Sequence, residues 1–221
     1  MKNFSQARKN MVDSQLRPNG ITDSRILQAM GELPREAFVA PERAEFAYMD
    51  EDVAMISGRQ SRMMMEPMAL ARLLQLAEVQ EGESVLDVGC GTGYSSVILA
   101  QIGAKVTAFE EEKSLIEKAE ANFAAFGGEK IKLVQGELAK GPAGNDTFDL
   151  IFVNGMVPGL VEALAAKLSD RGRMIAVEGT GPMGRAMVSW QMHGALGRRA
   201  AFDASVPLLP GFLPTRVEFQ F

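Results

Sequence analysis

The sequence predicts an α/β protein with a doubly wound, mostly parallel sheet. Short apolar runs alternate with helical stretches of about ten to fifteen residues between residues 84 and 178, which is the pattern of strand–helix–strand units. A glycine-rich turn joins the first apolar run to a helix. Beyond residue 178 only strand patterns follow, and they predict antiparallel strands at one sheet edge. The predicted parallel strands are SVLDVG (84–89), KVTAFE (105–110), IKLVQG (131–136), FDLIFV (148–153) and RMIAVE (173–178).

The helices are predicted from apolar spacing and from glycine or proline at their ends. In the stretch 112–126, Leu115, Ala119 and Phe123 share one face, and Gly127 ends the helix. The other helices of this part are predicted at 68–79, 94–102 and 158–168. The antiparallel strands are predicted at 185–192, 198–204 and 215–221, with a turn at HGALG between the first two.

The beginning of the chain is predicted to be helical and rich in loops. Residues 5–16 have the pattern of a helix that ends before Pro18, and Asp23 is placed to cap a second helix. We therefore divide the chain into a helical N-terminal extension, residues 1–65, and an α/β domain, residues 66–221.

Composition narrows the class of protein. The 221 residues are 47% hydrophobic and 23% charged, with a net charge of −5, which is typical of a soluble globular protein. A single cysteine, Cys90, and a single histidine, His193, argue against an internal disulfide and against zinc sites built from several such ligands. Neither a basic stripe nor a long apolar segment is present, so we expect no nucleic-acid partner, no membrane span and a cytoplasmic location.

The glycine-rich turn carries the main functional signal. A buried strand pattern ends at Asp87, and Gly89, Gly91 and Gly93 follow at alternate positions before a helix. Glycine allows tight turns and close approach of a ligand, and a helix N-terminus offers free N–H groups. Ligands of such sheets bind at the carboxyl ends of the strands, where Glu110 closes the second strand. An acid there commonly accepts hydrogen bonds from ribose hydroxyls.

A glycine turn of this kind can also bind a dinucleotide, or nothing. The dinucleotide pattern G-x-G-x-x-G requires glycine where this chain has Tyr94. The order D-x-G-x-G-x-G, from Asp87 to Gly93, resembles motif I of the class I S-adenosylmethionine-dependent methyltransferases. The resemblance implies a Rossmann-like fold and an S-adenosylmethionine site, with Glu110 on the ribose and an acidic residue after the third strand facing adenine. The cofactor-binding residues it implies are Asp87, Gly89, Cys90, Gly91, Gly93, Glu110, Gly136, Glu137 and Leu138.

Further segments resemble one family of these enzymes. MVDSQLRPNGI, ILQAMGELPREAFV, FDLIFVNGMVPGLVEALAAKL and VPLLPG are similar to segments of protein-L-isoaspartate O-methyltransferases. The resemblance covers about residues 11–214. It implies a substrate protein or peptide that carries the free carboxylate of an L-isoaspartyl residue.

The chain departs from that family at a short active-site stretch, usually Gln-Thr-Ile-Ser-Gln-Pro. Alignment on the proline places Arg62, Met63, Met64, Met65, Glu66 and Pro67 there, so thioethers replace hydroxyls. A second alignment keeps Gln60-Ser61 as the Gln-Thr pair and loops out two residues. The methionines can also be simple packing residues. After the fourth strand, Asn154-Gly155-Met156 replaces the family's Thr-Ala-Ala. Candidate residues for the acceptor site are Arg62, Met65, Glu66 and Asn154.

Three functions stay open on this basis. A carboxylate acceptor is already ionised at neutral pH and needs no general base, whereas an amine or alcohol does. The scarcity of candidate bases, with His193 in a predicted turn, favours a carboxylate and hence an isoaspartyl methyltransferase. The alternatives are a methyltransferase with another acceptor and a cofactor-binding or interaction protein without activity.

Overall fold

The computed structural model describes residues 3–212, and the side chains of all of these except 59–61. Within that range a central sheet has seven strands in the order β5-β4-β3-β6-β7-β8-β9, and a separate hairpin pairs β1 with β2. The strands are β1 Val53–Ile56, β2 Arg59–Met64, β3 Ser84–Val88, β4 Lys105–Glu110, β5 Lys132–Gln135, β6 Phe148–Val157, β7 Leu168–Glu178, β8 Gly184–Met192 and β9 Ala195–Ala204.

The sheet is parallel from β5 to β7 and antiparallel from β7 to β9. The strand order reverses beside β3, where β4 lies on one side and β6 on the other. In register, Val88 of β3 lies beside Phe109 of β4 and Val153 of β6. The carboxyl ends of these strands meet at one edge, which is where ligands bind in sheets of this kind. The predicted fold class, including the antiparallel C-terminal strands, is confirmed.

Helices cover the sheet and form most of the N-terminal part. In α5, Leu115 and Ala119 are fully buried on one side, as the apolar spacing predicts. The α-helices are α1 Phe4–Asn10, α2 Ser24–Glu32, α3 Pro67–Ala77, α4 Tyr94–Gln101, α5 Lys113–Ala125 and α6 Glu162–Ala165. A π-helical stretch, Met11–Leu16, continues α1, and Asp23 caps α2 by accepting the Arg25 N–H at 2.9 Å.

The N-terminal residues share an apolar core with the sheet and its helices. Met11, Met30 and Phe38 belong to the same buried cluster as Leu70 of α3 and Val97 of α4. The domain boundary at residue 65 therefore stays a prediction. Among residues 3–212 there is no helix of the length and apolarity that crossing a membrane requires.

The structure shortens one predicted helix and does not test one predicted strand. The helix predicted at 158–168 is wrong in extent: only Glu162–Ala165 is helical. The reason is that β6 continues to Val157 and that Leu168 already pairs with Phe148, so the sheet takes both ends of the segment. The strand predicted at 215–221 lies outside the described residues.

The β1–β2 hairpin, residues 53–64, was not predicted. Its register pairs Val53 with Met64 and Ala54 with Met63. It is not hydrogen-bonded into the seven-stranded sheet, and the Ala40 N–H donates to the Ala54 carbonyl at 2.9 Å, which ties it to the N-terminal part. The hairpin lies over the glycine turn, because Met55 packs against Gly91 and Arg62 donates to the Gly89 carbonyl. It therefore forms one wall of the candidate site.

Candidate active site

The glycine turn after β3 adopts a backbone that only glycine adopts without strain. Gly89, Gly91 and Gly93 have φ angles of +69°, +59° and +92°. The turn is held against β4, because the Gly89 N–H donates to the Phe109 carbonyl at 2.8 Å. The alternating glycines therefore form the tight turn that the sequence predicts at the carboxyl end of β3.

The space that these glycines leave open is filled by other side chains of the same chain. A Cβ added to Gly89 would lie 2.8 Å from the Leu209 side chain. One added to Gly91 would lie 2.5 Å from Met55 Sδ, in β1. Met55 therefore packs directly onto the turn, in contact distance of the backbone that a ligand would approach.

Glu110, the residue predicted to bind ribose, is fully buried and forms an ion pair. Its carboxylate accepts two hydrogen bonds from the Arg62 guanidinium, Nη1 to Oε1 and Nη2 to Oε2, each at 2.7 Å. The backbone N–H groups of Gly91, Glu111 and Glu112 donate to the same carboxylate at 2.9–3.1 Å. Arg62 is only 4% exposed. Arg62, a candidate for the acceptor site, is thus hydrogen-bonded to Glu110, the residue predicted to bind the ribose.

Asp87, at the base of the turn, is also fully buried and hydrogen-bonded. Its Oδ2 accepts the hydroxyls of Ser95 and Ser96, at 2.8 and 2.5 Å, and its Oδ1 accepts the Asn154 side-chain amide. Burial raises the pKa of Asp87 to about 6, against the lowering effect of these donors. Asn154 of β6, another acceptor candidate, therefore helps to hold Asp87 in place.

A small cavity lies between the hairpin, the turn and Asn154. Its volume is about 20 Å³, which is room for about one water molecule. The apolar wall consists largely of methionines, and the remaining wall includes Cys90 of the turn and Tyr94 of α4. The methionines that line it are Met55, Met63, Met64 and Met65. The stretch that departs from the family resemblance therefore does face the site.

The last acceptor candidate, Glu66, lies at the N-terminus of α3. Its backbone N–H donates to the Asp52 carboxylate at 2.9 Å. Burial, followed by the neighbouring charges of Asp50 and Asp52, raises the pKa of Glu66 to about 7. Glu66 is thus a group that exchanges a proton near neutral pH, and it stands beside the cavity wall formed by Met65 rather than among the cavity-lining residues.

The tripeptide predicted to face adenine is divided between core and surface. Leu138 is fully buried, and its N–H donates to Glu111 Oε2 at 3.2 Å. Glu137 is exposed and pairs with Lys140. Gly136 packs against the ring of Phe109.

The two remaining sequence candidates have structural surroundings. Cys90 is buried in the turn, and burial raises the pKa of its thiol well above the usual range. His193 lies in the β8–β9 turn, exposed, with its Nδ1 4.0 Å from Asp170. Cys90 therefore lines the cavity as a protonated thiol, and His193 is not among the cavity-lining residues.

The residue types are those that S-adenosylmethionine requires, but side chains of the hairpin fill the space in front of them in this conformation. A buried carboxylate at the end of β4 and a positive-φ glycine turn are the groups that a nucleoside with ribose hydroxyls requires. Arg62 and Met55, both on the hairpin, occupy the positions in front of those groups. The sequence did not predict this closure, because the hairpin has no alternating pattern that predicts strands, and the cofactor-binding residues stay a prediction.

Comparison with known proteins settles the family. The family model for protein-L-isoaspartate(D-aspartate) O-methyltransferase matches residues 6–189. The chain belongs to that family. A protein-L-isoaspartate O-methyltransferase of Koribacter versatilis is 33% identical over 216 residues, which cover 96% of each chain. One from Methylorubrum extorquens is 34% identical over 94% of this chain and 90% of its own.

Solved structures share the fold of this family member. A protein-L-isoaspartate O-methyltransferase superposes with a TM-score of 0.78 at 23% identity, over 91% of this chain and 65% of that one. A Plasmodium falciparum protein described as a beta-aspartate methyltransferase, in complex with S-adenosyl-L-homocysteine, gives 0.77 at 20% identity, over 96% and 100%. The prediction of an S-adenosylmethionine-dependent O-methyltransferase is confirmed for the family to which the chain belongs.

Proposed function

We propose that this protein transfers a methyl group from S-adenosylmethionine to a free carboxylate of the isoaspartyl type in a protein or peptide. The observation that carries the proposal is the buried Glu110 carboxylate, joined to the glycine turn through the Gly91 N–H at 2.9 Å. The acceptor class is taken from the relatives, which are named protein-L-isoaspartate O-methyltransferases. We also propose a cytoplasmic location, where such substrates arise in soluble proteins.

Several residues would hold the cofactor. Glu110 would accept hydrogen bonds from the ribose hydroxyls, and the turn Gly89–Gly91 would lie along the methionine part. The Leu138 N–H, at the edge of the predicted adenine site, would become available if Glu111 released it. Bound there, S-adenosylmethionine supplies an electrophilic methyl group on a sulfonium.

The acceptor needs position rather than activation. A carboxylate is ionised at neutral pH, so no residue has to remove a proton from it. Catalysis then consists of holding donor and acceptor in line, which contributes up to about 7–11 kcal/mol in favourable cases. Asn154 would help to position the acceptor, because it lines the cavity and its amide is held in place by its bond to Asp87.

The methionine wall contributes by excluding water. Met63, Met64 and Met65 surround the cavity and carry no strong hydrogen-bonding group. The positive charge of the sulfonium and the negative charge of the carboxylate cancel as the methyl group is transferred. A site that excludes water therefore favours the less charged transition state relative to the charged reactants.

The same wall favours a second candidate function. Thioethers cannot orient a carboxylate, whereas they adapt to apolar groups of different shapes. A methyltransferase with a less polar acceptor is therefore the alternative that these methionines support.

Transfer of labelled methyl groups distinguishes the two. Purified protein is incubated with methyl-tritiated S-adenosylmethionine and a peptide that contains one L-isoaspartyl residue, and the matched control peptide contains L-aspartate at that position. We expect base-labile label in the isoaspartyl peptide only. Equal label in both peptides, or none in either at millimolar peptide, would refute an isoaspartyl acceptor.

A further inference from the structure

The Glu110 carboxylate already has a ligand that imitates a ribose. Arg62 presents Nη1 and Nη2 side by side, and each donates to a different carboxylate oxygen at 2.7 Å. A vicinal diol offers its two hydroxyl donors to a carboxylate in the same side-by-side manner, so the two groups compete for the same lone pairs. The remaining acceptor capacity of Glu110 is taken by backbone N–H groups of the turn and of the segment after β4.

The hairpin therefore blocks the predicted ribose position in two ways: Arg62 pairs with the Glu110 carboxylate, and the hairpin side chains fill the space in front of it. Arg62 and Glu110 are 4% and 0% exposed, so their pairing excludes solvent as well as a ligand. On the adjoining strand, Met55 Sδ packs onto Gly91, and the cavity that remains beside it holds about one water molecule.

The hairpin has the connections of an element that can move as a unit. Its two strands bond to each other and not to the seven-stranded sheet. Among the described residues, its hydrogen bonds to the N-terminal part are the Ala40–Ala54 backbone bond and one from the Ser57 hydroxyl to Glu42. Val53, Met55 and Met64 also belong to the apolar cluster that includes the N-terminal helices. Displacing it from the crevice would break the bonds of Arg62 to Glu110 and to the Gly89 carbonyl, and it would loosen the packing of Met55, Val53 and Met64. No strand pairing of the central sheet would break.

We propose that Arg62 is an internal competitor of the cofactor's ribose, which closes the crevice by pairing with Glu110 and must leave with the β1–β2 hairpin before the nucleoside binds. The inference rests on the proposed cofactor site. Its consequence is quantitative: if only a fraction of molecules is open, the apparent dissociation constant of the cofactor rises by the inverse of that fraction. Removing the guanidinium should therefore tighten binding, the opposite of what removing a ligand does.

The test compares S-adenosylhomocysteine binding by calorimetry in wild type and in Arg62→Met, which keeps a flexible apolar stem but loses the charge and the donors. The matched control is Arg185→Met, because Arg185 forms an exposed ion pair with Asp203 on another part of the molecule. We expect the dissociation constant to fall at least tenfold in R62M and to stay within twofold of wild type in R185M. Cys90, the single cysteine, lines the cavity and gives a second readout: a thiol reagent should modify it faster in R62M, and S-adenosylhomocysteine should slow that reaction.

The outcomes separate this inference from the proposed function. Equal binding by wild type and R62M would overturn the competition and leave the cofactor site intact, and weaker binding by R62M would make Arg62 a ligand instead. Absence of heat with both proteins would overturn the cofactor site and this inference with it. If R62M does not fold, hydrogen exchange of wild type decides: saturating S-adenosylhomocysteine should increase exchange of the amides of residues 53–56, and unchanged or reduced exchange would overturn the proposal.

Discussion

Breaking the Arg62–Glu110 pair should destabilise the protein by an amount that depends on which partner is removed. In Glu110→Gln, the buried guanidinium loses its counter-charge and one of its two carboxylate acceptors, and it keeps the amide oxygen of the new side chain and the Gly89 carbonyl at 3.3 Å. In Arg62→Met, the buried carboxylate keeps three backbone donors, from Gly91, Glu111 and Glu112. Because the carboxylate is better compensated than the guanidinium, the two variants should differ.

The magnitude follows from the burial of both groups. Removing one partner of a buried ion pair costs about 3–5 kcal/mol. We therefore expect E110Q to lose about 5 kcal/mol of unfolding free energy, at the upper end of that range, and R62M about 3 kcal/mol, at the lower end, because three backbone donors still compensate its carboxylate. The double variant should lose less than the sum, with a coupling of about 1–3 kcal/mol.

Urea unfolding without cofactor, followed by circular dichroism, measures these differences. R185M serves as the control, since its exposed pair should contribute less than about 1 kcal/mol. A larger loss in R62M than in E110Q, or additive losses in the double variant, would contradict the arrangement of donors described above.

Three further changes test other parts of the structure. In the folded wild type the pKa of Glu66 is raised to about 7, so the folded state binds more protons than the unfolded state and stability falls as the pH rises from about 4.5 to 7. Glu66→Gln removes this loss and should stabilise the protein at pH 8 by about 1 kcal/mol, a value reduced for the partial exposure of the group. Gly93→Ala should cost about 2–5 kcal/mol in urea unfolding, because φ is +92° and the new methyl group would overlap the Phe123 ring. Arg173→Met should cost about 2 kcal/mol, because it removes the half-buried, two-bond pair with Glu83 at 2.8 and 2.9 Å.

Each of these has a result that would contradict it. The effect of E66Q must vanish below about pH 4.5, where both states of the wild type are protonated; a constant effect from pH 4 to 8 would exclude titration as the cause. For Gly93, Phe123→Ala should restore part of the stability of G93A, and no recovery would mean that the ring is not the obstacle. For Arg173, a loss equal to that of the exposed control R185M would show that its burial adds nothing.

The parts of the site that local sequence determines could be predicted. The positions of Gly89, Gly91 and Gly93 follow from one strand–turn–helix pattern, and Glu110 follows from the end of the next strand. The regular apolar spacing of residues 113–125 likewise predicted α5 to within a residue or two.

The parts that depend on distant contacts could not. Arg62 and Glu110 are 48 residues apart, and the methionine-rich segment of the hairpin has no alternation of polar and apolar residues. Strand pairing also overrode a plausible helix at 158–168, because the bond between the Phe148 N–H and the Lys167 carbonyl leads the chain directly into β7.

A crystal structure of the wild-type protein grown with saturating S-adenosylhomocysteine tests the account most directly. We predict that both ribose hydroxyls donate to Glu110 and that Arg62, with the hairpin 53–64, lies outside the crevice. Nucleoside density elsewhere, or an Arg62–Glu110 pair that persists beside bound ligand, would contradict it.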